Sequence, residues 1–298
     1  MINLSIIWVN YRTADLLLAS MQSVVEHTQG ITYELIVVDN ASGDNLEEQL
    51  KIQHPTAKWV ALPKNAGFGK ANNAGVNVAT GKNILFLNPD TLVTDNALKC
   101  LSDYLDEHPK VGVCGANLVD ADGLPAHSFK RLLPSFWVEL DAALKGVLMR
   151  MRYGKNTEYN HTGKPLSVAY ICGADLMIRR AVWEKVGGFD PAIFMYYEDS
   201  LLCHHVKKQG YAIMSLPMAR IVHLEGKSFT LHERREERIF QGRSIFFSKV
   251  YPCWYVACAN ALNRMLLRVG MVLARLQKKE EEYKKFSFRY HLYKSIKK

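Results

Sequence analysis

Two apolar runs in the first third of the chain each end in acidic residues. Residues 35–38 lead directly into Asp39, and residues 84–87 lead into Asn88 and Asp90. A carboxylate at the end of a strand can accept a hydrogen bond from a nucleobase or a ribose, or it can bind a hard cation through oxygen. An acidic residue after a strand is more often a helix cap or a turn former. Two of them at one expected sheet edge favour a ligand site.

Two later segments carry further candidates for chemistry. Glu198 and Asp199 follow the aromatic-rich residues 194–197, and a carboxylate in such surroundings can serve as a general base. The pair could instead favour the start of a helix through the helix dipole. His223 follows a short apolar run, where a lone histidine is more often a satisfied core residue than a ligand.

A glycine-rich segment at residues 65–75 indicates a phosphate-binding helix start. Gly67, Gly69 and Gly75 permit a close approach of the backbone, and Lys70 and the amide groups could contact a diphosphate. The segment lacks the Gly-Lys-Ser/Thr of a Walker loop, and it does not follow the first strand as a dinucleotide fingerprint would. Both absences count against an NTPase and against a nicotinamide-dependent enzyme.

The elements that must position these residues alternate between strand and helix. Near-continuous apolar strands with helices between them predict a doubly wound, mostly parallel sheet that binds ligands at the carboxyl ends of its strands. One predicted helix is capped by Thr13, and the next begins with a capping box of Asp44 and Glu47. Residues 119–166 lose this periodicity, as a long excursion or lid would. The predicted strands are Leu4–Asn10, Tyr33–Asp39, Lys58–Leu62, Asn83–Asn88, Val111–Asn117 and, late in the chain, Tyr211–Leu216.

Eight motifs, in order along the chain, resemble those of the large family 2 glycosyltransferases, and most closely those of the bacterial rhamnosyltransferase-like group. The match spans about residues 3–225. The resemblance implies the GT-A fold, an α/β fold with a Rossmann-like, doubly wound, mostly parallel sheet. The motifs are Val9-Asn10-Tyr11, residues 37–42, 65–75, 86–90, 173–180, 187–190 and 194–199, and His223.

The resemblance also implies roles for the candidate residues. Asp90 ends an Asn-Pro-Asp variant of the metal-binding D-x-D motif, and His223 matches a late histidine that can complete a site for Mg²⁺ or Mn²⁺. Asp199 matches the base that deprotonates the acceptor hydroxyl. Asp39 matches the residue that contacts the nucleobase. The other residues implied to bind the nucleotide sugar are Asn10, Tyr11, Asn65, Gly67, Lys70, Asn73 and Asn88.

The chain departs from the family pattern just after Asp199. The family usually continues with a second Asp and an Arg, and here Leu201 and His205 stand at those two positions. The joint replacement predicts altered contacts to the acceptor rather than loss of the base. No plausible nucleophile accompanies either acidic strand end, so we expect direct attack by the acceptor and inversion of the anomeric centre.

The positive charge of the chain is concentrated in its last quarter. The net charge is +9, yet residues 1–226 hold 21 Lys and Arg against 23 Asp and Glu, while residues 227–298 hold 17 against 6. Residues 253–276 are mostly apolar but include Arg264 and Arg268, which predicts a helix in the plane of a membrane surface rather than one that spans it. The basic residues that follow suit anionic lipids. The alternatives are a solvated basic face and a helix packed against the catalytic domain or a second subunit.

These observations predict a catalytic GT-A domain at residues 1–226 and a basic helical tail at residues 227–298. Within the domain, residues 1–118 are expected to bind the nucleotide sugar and residues 119–226 the acceptor. The expected reaction moves rhamnose or another hexose from a dTDP- or UDP-linked donor to a lipid-linked saccharide or polysaccharide in cell-envelope glycan synthesis. The alternatives are a non-catalytic membrane- or carbohydrate-binding protein with this fold, and a sugar nucleotidyltransferase, which would carry glycines after the first strand.

The expected location is the cytoplasm, at the inner face of a bacterial plasma membrane. The chain starts without the basic region of a signal peptide, and its six cysteines form no C-x-x-C pair, which favours free thiols in a reducing compartment. A homodimer is one expected option for the assembly. A nucleic-acid partner is not expected, because no recognised binding motif accompanies the basic tail.

Overall fold

The computed structural model describes residues 2–224 and 232–295. The strands are β1 (Leu4–Asn10), β2 (Tyr33–Asp39), β3 (Lys58–Ala61), β4 (Asn83–Leu87), β5 (Thr91–Val93), β6 (Val111–Val119), β7 (Phe129–Lys130), β8 (Leu166–Ser167), β9 (Tyr170–Ile171), β10 (Asp175–Arg179) and β11 (Ala212–His223). The helices are α1 (Ala14–His27), α2 (Leu46–Gln53), α3 (Phe68–Val78), α4 (Ala97–Glu107), α5 (Phe136–Ala143), α6 (Val147–Tyr153), α7 (Arg180–Val186), α8 (Glu198–Lys208), α9 (His232–Val250), α10 (Cys253–Leu276) and α11 (Glu280–Ser295).

The main sheet has the strand order β3-β2-β1-β4-β10-β6-β11-β5, and β8 also pairs with β11. Strands β1 to β4 are parallel to their neighbours within this group, and β6 is parallel to β11. Strand β10 runs antiparallel between β4 and β6, and β5 runs antiparallel to β11. Alternate residues of β1 enter two separate apolar cores, Ile6 and Trp8 on one face and Ile7 on the other. The predicted doubly wound, mostly parallel sheet is therefore confirmed.

The last strand is longer than the sequence predicted. The expected strand ended at Leu216, but β11 continues to His223 across an irregularity between Leu216 and Arg220. Pro217 lies in this irregularity, and a proline has no backbone N–H to give to a ladder. Beyond it, the residues from Ile221 to His223 pair with β5. The apolar period breaks at the irregularity, which is why the second half of the strand was missed.

Two predicted helix caps are wrong. Thr13 precedes α1, but its side chain makes no capping bond, and its N–H and hydroxyl instead donate to Asn10 Oδ1 at 3.1 and 3.2 Å. Helix α2 begins after Asn45 rather than after Asp44, the Asn45 side chain makes no capping bond, and Asp44 Oδ1 accepts from the Leu46 N–H only at 3.4 Å. The carboxylate of Asp44 accepts from Asn10 Nδ2 at 3.0 Å. Both expected caps fail because one buried asparagine takes part of their hydrogen-bonding capacity.

The chain divides into two compact units. The first comprises Met1–Arg131 and Lys155–Phe229, and the second comprises Leu132–Gly154 and Thr230–Lys298. The stretch 119–166, expected to be irregular, thus contributes α5 and α6 to the second unit together with α9, α10 and α11. Every candidate site residue lies in the first unit. The assignment of residues 1–118, 119–226 and 227–298 to donor, acceptor and membrane binding stays a prediction.

Candidate active site

The carboxyl ends of β1 and β2 meet at one edge of the sheet. Asn10 is paired in register with Asp39, and the Asn10 side chain is fully buried. Asn10 Nδ2 donates to Asp39 Oδ1 at 3.3 Å and to the carboxylate of Asp44, while Asp39 Oδ1 also accepts from the Ser42 N–H at 3.2 Å. Asn10 therefore holds Asp39 in place, and Asp39 itself is half-buried.

The turns after β1 and β2 are held in unusual backbone conformations. Arg12 and Ala41 have φ values of 61° and 59°, in the left-handed region that costs a side chain strain. The Arg12 N–H donates to Ser42 Oγ at 3.0 Å, which ties the two turns together. Tyr11 is 41% exposed beside them, with the guanidinium carbon of Arg12 5.6 Å from the centre of its ring. An exposed aromatic ring next to Asp39 is a suitable surface for a base or a sugar.

The glycine-rich segment is joined both to β2 and to the loop before α8. Asn40 Nδ2 donates to Asn65 Oδ1 at 3.0 Å, and Asn40 Oδ1 accepts from the Ala66 N–H at 2.8 Å. Gly67 has a φ of 86°, and a Cβ at this position would lie 2.1 Å from the carbonyl oxygen of Phe194. Asn40 was not among the predicted site residues, although its place in the Asp39-Asn40 strand end signalled it.

Lys70 and Asn73 lie on α3, which starts immediately after Gly67. Lys70 is exposed in the first turn of the helix. Asn73 instead faces the protein, because its Nδ2 donates to the Phe189 carbonyl at 2.8 Å and its Oδ1 accepts from the Phe189 N–H at 3.1 Å. The Asn73 amide thus fixes the Gly187–Asp190 turn, and its predicted contact to a nucleotide stays a prediction.

Asp90 and His223 are brought together by the pairing of β5 with β11. Thr91 is opposite His223 in this ladder, and the Leu224 N–H donates to the Asp90 carbonyl at 2.8 Å. His223 Nε2 lies 3.4 Å from Asp90 Oδ1, with the side chains 10% and 6% exposed. Within residues 2–224 and 232–295, no group of three His, Cys, Asp or Glu side chains has the geometry of a metal site. The structure brings Asp90 and His223 together, and their role as cation ligands stays a prediction.

The backbone of Asn88 connects this pair to the segment at Gly173–Asp175. The Asn88 N–H donates to the Ala174 carbonyl at 2.9 Å, and the Asn88 carbonyl accepts from the N–H and the hydroxyl of Thr91 at 3.2 and 2.7 Å. The Asn88 side chain is half-buried at the carboxyl end of β4. The turn from Asn88 to Thr91 is thus fixed on both sides.

Asp199 lies in the first turn of α8 and is held by backbone donors. Its Oδ2 accepts from the Gly173 N–H at 3.2 Å, and its Oδ1 accepts from the N–H of Ser200 at 2.6 Å. Tyr196 and Tyr197, directly before the helix, have φ values of 71° and 72°. Two consecutive left-handed tyrosines store strain of a kind that clusters at functional sites. Tyr196 and Tyr197 therefore set the direction in which α8 begins, at a cost in conformational energy.

The two adjacent carboxyl groups differ in their surroundings. Burial raises the pKa of Glu198 to about 8, and the charge of Asp199 adds to that rise. Burial also raises the pKa of Asp199, while hydrogen bonds from Ser200 and Gly173 act to lower it. At neutral pH we therefore expect Glu198 to hold a proton and Asp199 to be the better proton acceptor of the pair.

Asp175 is a buried acidic residue that the sequence analysis missed. It opens β10 opposite Leu87, its side chain is fully buried, and its Oδ2 accepts from the Ala116 N–H at 2.5 Å. Burial raises the pKa of Asp175 to about 7, and the electrostatic influence of His223 opposes that rise. The signal was present in the sequence, because Asp175 is the one acidic residue in the run Ala174–Ile178.

Leu201 and His205 follow Asp199 on α8 in place of the Asp and Arg of the family pattern. Leu201 is 1% exposed, so its side chain is part of the packed interior. A buried leucine needs no charged partner, which agrees with the loss of the arginine at the position of His205. The helix keeps its start at Glu198 in spite of both replacements.

Comparison with known proteins identifies relatives over most of the chain. Residues 5–187 match the model of the family Glycosyl transferase family 2. The low-salt glycan biosynthesis hexosyltransferase Agl10 of Haloferax volcanii is 22% identical over 292 residues, which cover 94% of this chain and 87% of the relative. The N-acetylglucosaminyl-diphospho-decaprenol L-rhamnosyltransferase of Mycobacterium tuberculosis is 26% identical over 227 residues, 71% of either chain.

A solved structure supports the fold assignment. The mannosyltransferase PcManGT from Pyrobaculum calidifontis, in complex with GDP-Man and Mn²⁺, aligns with a TM-score of 0.60 at 18% identity and covers 97% of this chain and 85% of its own. The matched family region contains β1 to β6 and β10, together with Asp39 and Asp90. The chain therefore belongs to glycosyl transferase family 2 and is a glycosyltransferase with the GT-A fold.

Proposed function

We propose that this protein transfers a hexose from a nucleotide-sugar donor directly to an acceptor hydroxyl, with inversion of the anomeric centre. The observation that carries this proposal is the edge of the sheet, where the Asp90–His223 pair and the segment that supports Asp199 are joined through the Asn88–Ala174 hydrogen bond. A cation-binding pair and a separate base are the two groups that such a transfer needs.

Asp199 acts as the general base in this proposal. Its carboxylate takes the proton of the acceptor hydroxyl as that oxygen forms a bond to the anomeric carbon. The bond between the anomeric carbon and the donor phosphate breaks, and the nucleoside diphosphate leaves with the electron pair. One displacement inverts the configuration, because no second displacement follows. Backbone donors from Gly173 and Ser200 fix the carboxylate for this role.

Asp90 and His223 would hold the divalent cation, either Mg²⁺ or Mn²⁺. Their donor atoms, one carboxylate oxygen and one imidazole nitrogen, fit such an ion, and both side chains are held at strand ends. Sites for these ions commonly use one or two protein ligands and take the remainder from substrate phosphates and water. When bound, the cation would offset the charge that develops on the leaving diphosphate.

Asp39 and the residues around it would bind the nucleotide. Asp39 accepts a hydrogen bond from Asn10, which precedes the exposed Tyr11, and Asn65, Gly67, Lys70 and Asn88 lie on the loops and helix starts that follow β3 and β4. The name of one relative supports a dTDP-linked sugar, with a UDP-linked sugar as the alternative: RfbF of Shigella flexneri, 22% identical over 195 residues, is named a dTDP-rhamnosyl transferase. We infer rhamnose or another hexose as the transferred sugar.

The acceptor is inferred to be a lipid-linked saccharide or a growing polysaccharide of the cell envelope. The mycobacterial relative is named for a diphospho-decaprenol acceptor, and the haloarchaeal relative for glycan biosynthesis. A lipid-linked acceptor requires the enzyme at a membrane surface, which agrees with the excess of positive charge after residue 226. We therefore place the protein at the cytoplasmic face of the plasma membrane, as a monomer or a homodimer.

Thermal unfolding with a panel of nucleotide sugars tests the donor and the cation together. A ligand that binds only the folded protein, at 100 times its dissociation constant, stabilises it by about 2.7 kcal/mol. We expect dTDP-rhamnose or a UDP-hexose to raise the melting temperature with Mn²⁺ and not with EDTA. Asp90→Ala should abolish the Mn²⁺-dependent shift, and His223→Ala should reduce it. Asp103→Ala, at a partly exposed position on α4 where the side chain pairs with Lys99, is the matched control.

The same preparation distinguishes the alternatives. Slow donor hydrolysis that depends on Mn²⁺ supports a glycosyltransferase. Release of pyrophosphate from a nucleoside triphosphate and a sugar phosphate would identify a nucleotidyltransferase. Donor binding without any turnover would indicate a non-catalytic binding protein. A Mn²⁺-dependent shift that is unchanged in Asp90→Ala would contradict the assignment of the cation site.

A further inference from the structure

The outward side of α10 is apolar along the whole helix. Six large apolar side chains on it are each at least half exposed: Trp254, Met265, Val269, Val272, Leu273 and Leu276. At 100° per residue they fall within about 100° of arc along a helix about 36 Å long. By length and composition alone α10 could also cross a membrane.

The polar side chains of α10 contact two other helices of the same unit, α9 and α11. Asn260 is 7% exposed and accepts from Arg243 of α9 at 2.8 Å. Arg268 donates to the hydroxyl of Tyr290 on α11 at 2.7 Å, and Arg275 lies over the ring of Tyr283. Asn260, Arg268 and Arg275 therefore contact α9 and α11, although the two arginines stay exposed, and the apolar side points outward. A helix fixed in this way by its polar side lies along a surface rather than across it.

The hairpin of α5 and α6 adds a second outward apolar region in the same unit. Five large apolar side chains of this hairpin are 45% to 80% exposed: Trp137, Leu144, Val147, Leu148 and Met151. Its two acidic side chains are turned inward, because Glu139 pairs with Arg243 and Asp141 accepts from the Leu148 and Met149 N–H groups. The charged side chains left exposed on the hairpin are Lys145, Arg150 and Arg152.

The hairpin and α10 are attached to each other through specific contacts. Glu139, at the centre of the contact, receives hydrogen bonds from Arg243 and from Asn263 of α10, the latter at 2.8 Å. The Phe136 N–H donates to the Tyr255 hydroxyl at 3.0 Å. Phe136 is in ring contact with Trp137 at 5.4 Å, and Tyr255 with Trp254 at 5.7 Å. Trp137 and Trp254 therefore both lie next to the ring contact between Phe136 and Tyr255.

Exposed apolar side chains are concentrated in this unit. Of the 17 large apolar side chains that are exposed among the described residues, 11 belong to the hairpin and to α10. Apolar patches of this extent on a soluble protein mark an interaction site. Amphipathic tryptophan rings at the edge and basic side chains around an apolar face are the features of a helix that inserts into the headgroup region of an anionic bilayer.

We propose that the outward side of α10 and the α5–α6 hairpin form one surface that inserts into the interfacial layer of an anionic membrane. This inference deepens the membrane association of the proposed function. It assigns binding to apolar insertion, with residues 132–154 as part of the membrane anchor, instead of to the basic tail alone. The basic residues attract the bilayer from a distance, and the apolar side chains hold the protein once it has arrived.

Vesicle flotation with uncharged substitutions tests this surface. Met265→Gln/Val272→Gln and Trp137→Gln/Met151→Gln each remove two exposed apolar side chains and leave the net charge unchanged. Ile52→Gln/Leu124→Gln makes the same change at two exposed positions of the other unit. On vesicles of 70% phosphatidylcholine and 30% phosphatidylglycerol, we expect each test pair to weaken binding at least tenfold and the control pair to leave it unchanged.

Salt and oligomeric state complete the test. In 1 M NaCl, where surface charges are screened, wild-type binding should weaken but persist, and the residual binding should disappear in the two test variants. Equal vesicle binding by wild type and Met265→Gln/Val272→Gln would overturn the proposal. A dimer in vesicle-free buffer that this variant dissociates would assign the surface to a second copy instead. Vesicle binding with no donor turnover by any variant would support this membrane-binding surface and contradict the proposed enzyme function.

Discussion

Asp199 and Glu198 are neighbours in sequence but are expected to have different roles. Asp199→Asn keeps the shape of the side chain and removes the proton acceptor, so donor binding should persist while turnover falls by ~10²–10⁴. Glu198→Gln imitates a carboxyl group that already holds a proton at neutral pH, because burial raises the pKa of Glu198 to about 8. This variant should keep most of the turnover. Equal losses in both variants, or a product with retained configuration by NMR, would contradict the proposed base.

The raised pKa values predict how activity depends on pH. The base must be ionised to accept a proton, and burial raises the pKa of Asp199 above its ordinary value of 3.8. The acid limb of the kcat profile should therefore lie at higher pH than for an exposed aspartate. Steady-state rates with saturating donor from pH 4 to pH 9 measure this limb.

The same pair predicts a dependence of stability on pH. The ordinary pKa of a glutamate is 4.5 and burial raises the pKa of Glu198 to about 8, so the folded protein binds more protons than the unfolded chain between those values. The free energy of unfolding should fall as pH rises through that window. Urea unfolding of Glu198→Gln should show a weaker fall than the wild type. A steeper fall in the variant would exclude Glu198 as its source.

At the scale of elements, the sequence predicts the strands far better than the helix starts. Strands β1 and β2 have the predicted bounds, because parallel strands buried on both faces appear as unbroken apolar runs. The cap at Asp44 could not be predicted because Asn10 lies far from Asp44 in sequence and is brought there by the sheet, whereas Thr13 donates to Asn10 only three residues before it. The second half of β11 was not predicted because its apolar period breaks at the irregularity that contains Pro217.

In the candidate site, too, features set by local sequence were predicted and features set by tertiary contacts were not. Asp39, Asp90 and Asp199 were predicted from their own neighbours in sequence, and each lies at the start or end of an element. The mutual contacts of Asn73 with Phe189 and of Asn40 with Asn65 could not be predicted, because they join segments through tertiary packing. Asp175 was not predicted, although it is the one acidic residue in an apolar run.

A substitution at Gly67 tests how the glycine-rich segment at residues 65–75 is attached to the loop before α8. Gly67→Ala should destabilise the fold and weaken donor binding, since φ is 86° and the new Cβ would lie 2.1 Å from the Phe194 carbonyl oxygen. Gly43→Ala is a matched control, with a φ of 69° and nothing within 4 Å of the new Cβ. The control carries only the conformational cost of about 1–2 kcal/mol. Urea unfolding should show a larger loss for Gly67→Ala, and equal losses would mean that the contact is unimportant.

At the scale of the whole molecule, local patterns could not show which unit a segment joins. Residues 132–154 interrupt the first unit in sequence, yet they pack with helices that begin about a hundred residues later. Composition identified the apolar and basic character of α10 but could not show which other helices it contacts. Cutting the chain after Tyr251 would remove Tyr255 and Asn263, which bind the hairpin, so point substitutions test membrane binding more cleanly than truncation.

The buried Glu139–Arg243 pair should stabilise the second unit. Arg243 is 3% exposed, so Glu139→Gln removes the carboxylate of a buried ion pair, at an expected cost of about 3–5 kcal/mol. Glu281→Gln removes an exposed partner of Lys284, and its effect on stability should be much smaller because water screens the pair. Chemical unfolding followed by circular dichroism measures both. The nucleotide-dependent thermal shift should be the same in the two variants, and its loss in Glu139→Gln would show that this unit is needed for donor binding.

The late position of His223 has a consequence for the synthesis of this protein. Asp90 is translated with the first four strands, but its partner arrives at the end of β11, after the rest of the main sheet. A contact of such high sequence separation forms late, because the intervening chain must first be ordered. On the ribosome, the nascent chain would therefore carry the proposed nucleotide-binding half before it carries both proposed cation ligands. Helices α9 to α11 emerge soon afterwards, so capture of a charged donor and attachment to the membrane would develop together.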